Sequence, residues 1–258
     1  MNPLANGLRR LVTHPLTRGR DLDDPNTTAL RRQIIQSKPF LRQIYVEWYR
    51  TLTADLPPGP GRVLELGSGA GFFRQVVAEA ICSEIFLCPD ITLVLDGQRM
   101  PLADASLRAI VMTDVFHHLP RARQFFAEAT RCVGSGGVVA MIEPWVSAWS
   151  KLIYTRLHHE PFRPEAAEWE FPSTGPLSGA NGALPWIVFQ RDRAIFEREF
   201  PAWRIERVDP IMPIRYLLSG GVSMRSLLPG WMHLPVATFE HLAGQRAAMF
   251  AHIVLRRL

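Results

Sequence analysis

Apolar residues recur along this chain at two spacings. After Ser37, the positions Leu41, Ile44, Tyr45, Trp48 and Leu52 return every three or four residues, which puts them on one helical face. Ser37 can cap that helix, and Pro39 suits its first turn. Thr27 or Thr28 can cap a shorter helix reaching about Gln36. Pro57, Pro58 and Pro60 end the helical stretch. Short apolar runs then predict strands over Val63–Leu66, Glu84–Cys88 and Ile110–Met112, a fifth strand after Gly137, a sixth over Arg204–Val208 and a last one over Phe250–Leu255. Helices are predicted between them over Phe73–Ala80, Ala122–Cys132, Arg191–Phe200 and Phe239–Ala248. In Ala122–Cys132 the inward face is Phe125, Phe126, Ala129 and Cys132.

Between the first strand and its helix lies Gly67-Ser68-Gly69-Ala70-Gly71, preceded by the carboxylate Glu65. Strand, tight turn and helix in that order form the crevice in which open α/β sheets bind ligands. A phosphate-binding P-loop needs a lysine that is absent here. The dinucleotide fingerprint fails because Phe72 stands where its third glycine belongs. A cationic ligand tolerates Glu65, and an amino group welcomes it. A strand–turn–helix holding no ligand is the structural alternative.

Three later stretches accompany this turn in order: Leu95-Asp96-Gly97 running on to Ile110, Thr113-Asp114-Val115-Phe116-His117-His118-Leu119-Pro120, and Gly134-Ser135-Gly136-Gly137 leading to Glu143-Pro144. Together they resemble the motifs of class I S-adenosylmethionine-dependent methyltransferases, of the methyltransferase type 11 kind, over roughly Pro57 to Pro144. The resemblance implies a Rossmann-like α/β fold: a mostly parallel sheet of the seven-stranded type with an antiparallel last strand. It implies S-adenosylmethionine as cofactor. Glu65, Gly67, Ser68, Gly69 and Gly71 would hold the amino-acid end, Asp96 and Gly97 the adenine, and Thr113 the methyl side. The family places an acid for the ribose at the end of the second strand. Counting from Glu65 puts that place near Cys88; either the nearest acid, Asp90, serves the ribose, or backbone and water take over that contact. Only five residues separate Asp90 from Asp96, so the second crossover is shortened, its helix missing or its strands merged.

Residues 1–56 are expected to be an arm, Met1–Asn26, followed by helices over the cofactor mouth; residues 57–258 form the methyltransferase domain. Trp145 to about Arg193 is too long and too aromatic for a simple connection, and is expected to be a cap shaping the acceptor pocket. The apolar, loop-rich Ile211–Leu234 is expected to be pocket wall or a partner surface. Methyl transfer from a sulfonium is an in-line displacement, and a base is needed only for a hydroxyl or protonated amine. His117 is the first candidate base; the His117–His118 pair as a structural feature is the alternative. Tyr45, Trp48, His118, Glu143 and Trp145 are candidate acceptor contacts, with a buried core stripe as the alternative for Tyr45 and Trp48.

Composition narrows this further. The chain has 258 residues, 47% hydrophobic and 21% charged, an ordinary globular balance with room for one large domain. Net charge is +5, almost all from arginine, since Lys38 and Lys151 are the only lysines. That excess suits an acidic acceptor or peripheral contact with an anionic membrane surface, but a codon preference for arginine explains it as well. No basic-aromatic stripe points to nucleic acid. Cys82, Cys88 and Cys132 share no metal-ligand spacing, and reduced packing cysteines of a cytoplasmic protein are expected. Adjacent His158 and His159 do not share a helical face, and no metal is expected. The expected activity is methyl transfer to a small-molecule acceptor; a non-catalytic or partner-activating protein keeping the fold is the alternative.

Overall fold

The computed structural model describes residues 25–157, 160–173, 175, 179–243 and 247–258. Its centre is a seven-stranded sheet in the order β3-β2-β1-β4-β5-β7-β6. The strands are β1 (Arg62–Leu66), β2 (Ile81–Glu84), β3 (Leu93–Val94), β4 (Leu107–Thr113), β5 (Val133–Pro144), β6 (Trp203–Ile211) and β7 (Phe250–Arg257). β1 to β5 run parallel, and β7 runs antiparallel to both β5 and β6. Strands of a parallel sheet covered on both faces read as continuous apolar runs. Val63 and Leu64 of β1, Ala109 to Met112 of β4 and Val138 to Ile142 of β5 are accordingly buried.

Two helices precede the sheet: α1 (Pro25–Ser37) and α2 (Pro39–Ala54). The predicted face of α2 is buried, with Phe40 and Tyr49 added to it. The caps differ from expectation. Thr27 and Thr28 are buried inside α1, and the Ser37 hydroxyl donates back to the Ile34 carbonyl rather than forward. Nearly all of the expected arm Met1–Asn26, and His158, His159 and Ser178, lie outside the described residues.

α3 (Ala122–Cys132) matches its prediction, and its four inward residues are fully buried. Phe126 meets Phe189, Phe196 and Phe200. Through these rings the segment formed by α5 (Leu184–Trp186), a π turn (Ile187–Arg191) and α6 (Arg193–Glu199) packs on α3. Trp169 joins the same cluster beneath Arg123.

Four elements are corrected. The second strand is Ile81–Glu84, not Glu84–Cys88: the apolar Ile85 and Leu87 that suggested it are exposed. The chain from Phe73 must therefore reach β2 sooner. It makes one 3-10 turn, Phe73–Gln75, instead of a helix to Ala80. The last helix, α8 (His233–Ala243), starts earlier than predicted because Pro235 is tolerated in its first turn. Inside Trp145–Arg193 a further helix forms, α4 (Ala148–Leu157). The second crossover, residues 85–92, contains no helix, as the short spacing required.

Candidate cofactor and acceptor site

A cavity of about 400 Å³ opens beyond the C-terminal ends of β1, β2 and β4. The sheet order reverses between β1 and β4, so this is the switch point where such sheets bind ligands. Five acids line the cavity, Glu65, Glu84, Asp96, Asp114 and Glu160, against Arg31 as the one lining arginine among the described residues. The arginine excess is spread over surface ion pairs instead, such as Arg123–Glu199 and Arg256–Glu206. Among the described residues the excess does not gather at the cavity.

The glycine turn is held from within. The amide of Ser68 donates to Ser83 O (2.7 Å), that of Gly71 to Ser68 O (2.7 Å), and that of Gly69 to the Glu84 carboxylate (3.1 Å). A phosphate cradle needs such amides free, so their engagement beside two carboxylates disfavours an anion here. Gly67 has φ of +68°, and an added Cβ would meet the Val115 side chain at 2.5 Å. At Gly71 it would meet the Tyr49 hydroxyl at 2.1 Å. Both glycines are thus required by protein neighbours as well as by closeness to the cavity.

Glu65 and Glu84 are almost wholly buried. Burial pushes Glu65 up to about 7, against the pull of Ser68, Cys82 and the charge of Arg32. It raises Glu84 also, opposed by the backbone amides of Gly69 and Ile85. Glu84 ends β2 and faces the cavity. Asp90 does not: its side chain is 76% exposed, sits at φ of +65° and pairs with Arg32, whose other nitrogen donates to Gly69 O (3.0 Å). Glu84 escaped notice in the sequence because the strand window fell three residues too late. Asp96 and Gly97 line the cavity, and one Asp96 oxygen accepts from Gln98 N (2.8 Å) and Nε2 (3.0 Å).

Thr113, Asp114 and His118 line the other side of the mouth. Burial raises Asp114 to about 7, with the His117 charge opposing and the Glu160 and Glu143 charges adding. His117 is fully buried and does not line the cavity. Its Nδ1 is 2.8 Å from Glu143, and its Nε2 is 3.4 Å from Glu160. Burial opposes charge on this ring, but the two carboxylates outweigh it and hold its pKa well above the usual range. Glu143 is a clamp rather than a cavity residue. It accepts from the amides of Val115 and Phe116 (both 2.7 Å) and from the His117 ring. His118 turns Nδ1 to Gly179 O (3.1 Å), and burial with the neighbouring His117 charge lowers it to about 4.

The far end of the cavity is formed by Tyr45, Ile153, Tyr154, Tyr216, Leu217, Gly220–Met224 and Met249. Trp48 and Trp145 are buried but do not line it. Trp48 stacks on Tyr216, and Trp145 donates its amide to Met249 O (2.8 Å). Among the described residues of the expected cap, Ile153, Tyr154, Glu160, Ser173 and Gly175 reach the cavity; Trp169 and residues 184–200 belong to the α3 cluster. The wall on α7 (Arg215–Ser219) and the loop after it was not anticipated residue by residue. Lys38 donates to the carbonyls of Gly221 (2.6 Å) and Met224 (2.8 Å). Arg215 is buried against Glu240 and reaches Glu47 on α2 (2.9 Å).

Strand order, antiparallel β7 and the cavity at the β1–β4 switch point define the class I methyltransferase fold. Residues 64–141 match the family model described as a methyltransferase domain, a family whose cofactor is S-adenosylmethionine. Over that segment the chain is similar to class I methyltransferases, and it shares their fold. It is 27% identical over 124 residues to an uncharacterized methyltransferase of Mycobacterium bovis, covering 36% of this chain and 49% of the relative. The chain thus spans about half the length of the curated relatives it matches. Among solved structures it resembles the geranyl diphosphate C-methyltransferase of Streptomyces coelicolor A3(2), crystallised with Mg2+, geranyl diphosphate and S-adenosyl-L-homocysteine. There the TM-score is 0.51 at 10% identity, covering 96% of this chain and 89% of the other. It also resembles a complex of the Haloferax volcanii Trm112 methyltransferase activator with a putative methyltransferase, with a TM-score of 0.53 at 12% identity over 90% and 95%. At such identities these likenesses concern the fold. Among the described residues, no helix is long and apolar enough to cross a membrane, and the three cysteines are free and buried.

Proposed function

We propose that this protein binds S-adenosylmethionine at the glycine end of the cavity and transfers its methyl group to a small-molecule acceptor at the aromatic end. The observation that carries the reading is the acid-rich lining at the switch point. The cofactor brings an ammonium, a sulfonium and a ribose diol, and no phosphate. Glu65 suits the ammonium, and Glu84 offers two acceptors to a vicinal diol. Asp96 and Gly97 suit the adenine. Thr113 and Asp114 flank the methyl side, where an acceptor lone pair attacks carbon as the carbon–sulfur pair withdraws to sulfur. Alignment alone can supply roughly 7–11 kcal/mol of barrier lowering.

His117 lies behind Glu160, so a proton leaving the acceptor would reach cavity groups before that ring. An acid-free end of the second strand would favour a non-catalytic protein, and Glu84 at the end of β2 weakens that alternative. Calorimetric titration of S-adenosylmethionine into wild type and Asp96→Ala tests the reading. Binding by wild type that weakens in the variant is expected. No heat with wild type at millimolar ligand would eliminate the enzyme.

A further inference from the structure

His118 and Glu160 at the cavity meet the buried His117 behind them in one cluster. Its three donor atoms, one from each residue, lie within 4.8 Å of one another. His117 Nε2 is 3.4 Å from one Glu160 oxygen, and His118 Nε2 is 3.8 Å from the other. Donors about 2.1 Å from a tetrahedral zinc stand about 3.4 Å apart. The widest donor separation, up to 4.8 Å, must shorten by about 1.4 Å for the set to close on a cation.

The tautomers point the same way. A metal-bound histidine usually donates its other ring N–H to a carboxylate or a backbone carbonyl. His117 Nδ1 faces Glu143, which already accepts backbone amides and so takes a ring proton. His118 Nδ1 faces the Gly179 carbonyl, which can only accept. Both rings therefore turn Nε2 toward the same carboxylate. His117 Nε2 is buried and faces Glu160 at 3.4 Å without a well-formed hydrogen bond, and a metal bound there would release the proton the ring otherwise carries.

We propose that His117, His118 and Glu160 form a three-ligand site for a divalent transition-metal ion of the zinc class, with its open position on the acceptor end of the cavity. Two imidazoles and one carboxylate select such an ion over Mg2+ or Ca2+, which favour all-oxygen shells. Three protein ligands leave a coordination position open, as catalytic sites do. His118 and Glu160 line the cavity, so that position is available to an acceptor oxygen. A metal there would favour loss of the acceptor's proton. This role rests on the methyl-transfer reading; the metal site itself does not.

The test is equilibrium dialysis of the full, chelator-stripped chain without a polyhistidine tag against Zn2+, followed by elemental analysis and calorimetry. One zinc per chain is expected. His118→Ala and Glu160→Gln, chosen because both residues sit at the cavity rather than in the core, should each lose at least ~10-fold in affinity, as even outer-shell changes do. Thermal melts of both variants confirm folding. Substoichiometric zinc in wild type at micromolar free metal, or equal affinity in wild type and both folded variants, overturns the site. S-adenosylmethionine is titrated separately: zinc uptake without cofactor binding would sink the methyltransferase reading and keep the site.

Discussion

At its glycine end the cavity is lined mainly by residues between positions 65 and 115 that lie close to the C-terminal ends of β1, β2 and β4, with Thr28 and Arg31 of α1 and Tyr49 of α2 beside them. At its aromatic end the lining comes from Tyr45 on α2, Tyr154 on α4, Tyr216 on α7 and Met249 before β7. The first end is positioned by sheet register. Glu65 pairs with Cys82 on one side and Val111 on the other, and the turn after it is bonded to β2 through Ser68 and Ser83. The second end is positioned by side chains that bridge separate helices. One end of a pocket can thus keep its chemistry while the other varies, because the two draw on different sources of rigidity.

The strongest way to break that comparison is Arg215→Met. Arg215 and Glu240 are both buried, and Glu47 on α2 completes the network. Removing one partner of a buried ion pair costs roughly 3–5 kcal/mol, because the other charge is left uncompensated. Urea unfolding should show a loss of that size. At temperatures where the variant stays folded, cofactor affinity should hold while acceptor saturation worsens. Equal damage to both would show the two ends to be one unit.

The next effect belongs to the glycine end and depends on pH. In the unfolded chain Glu65 gives up its proton near the ordinary carboxylate value of 4.5, while in the fold it keeps it to about 7. Between those values the folded state binds more protons, so stability falls as pH rises through this window and then levels off. The full loss is roughly 3 kcal/mol from this one group. Asp114, also raised to about 7 by burial, adds in the same direction. Glu65→Gln should flatten its share of the urea-measured profile. A bound cofactor ammonium should do the same in wild type, so affinity for S-adenosylmethionine should climb across the window. A profile unchanged in Glu65→Gln would mean that this carboxyl is not held protonated.

Glu84→Gln comes third. Gln keeps an oxygen for the Gly69 amide but loses the charge and one acceptor. Hydrogen bonds to charged groups are worth about 1.5–3 kcal/mol, so calorimetry should read a cofactor affinity roughly 10- to 100-fold weaker. An affinity within twofold of wild type would take Glu84 out of the site.

What could be read in advance follows the same division. The strand–turn unit and the periodic face of Ala122–Cys132 were legible because register and helical spacing act over a few residues. Glu84 was hidden by Ile85-Phe86-Leu87, an apolar run that the fold leaves largely in solvent at an edge where β3 is only two residues long. The helix at His233 was hidden by Pro235, which reads as a breaker but is harmless in a first turn. The aromatic wall was known only as an apolar stretch. The contacts that assemble it join residues 183 apart at Lys38–Gly221 and 168 apart at Arg215–Glu47. No local pattern encodes such pairings.

The smallest expected effect is the sharpest comparison within the glycine end itself, Asp90→Asn set beside Glu84→Gln. The resemblance made Asp90 the nearest candidate for the ribose, yet it lies on the outer side of the turn, exposed and in left-handed backbone that Asn also tolerates. Its one described partner is Arg32. An exposed ion pair of this kind contributes about 0–1 kcal/mol. Arg32 keeps its bond to Gly69 O without it, so the turn stays anchored. Cofactor affinity of Asp90→Asn should therefore stay within about twofold of wild type, with stability changed by no more than about 0.5 kcal/mol. A tenfold loss here with no loss in Glu84→Gln would move the ribose off the end of β2 and onto the loop that follows it. The acid would then be chosen by loop geometry rather than by strand register, and the division drawn between the two ends of the cavity would fail at its better-ordered end.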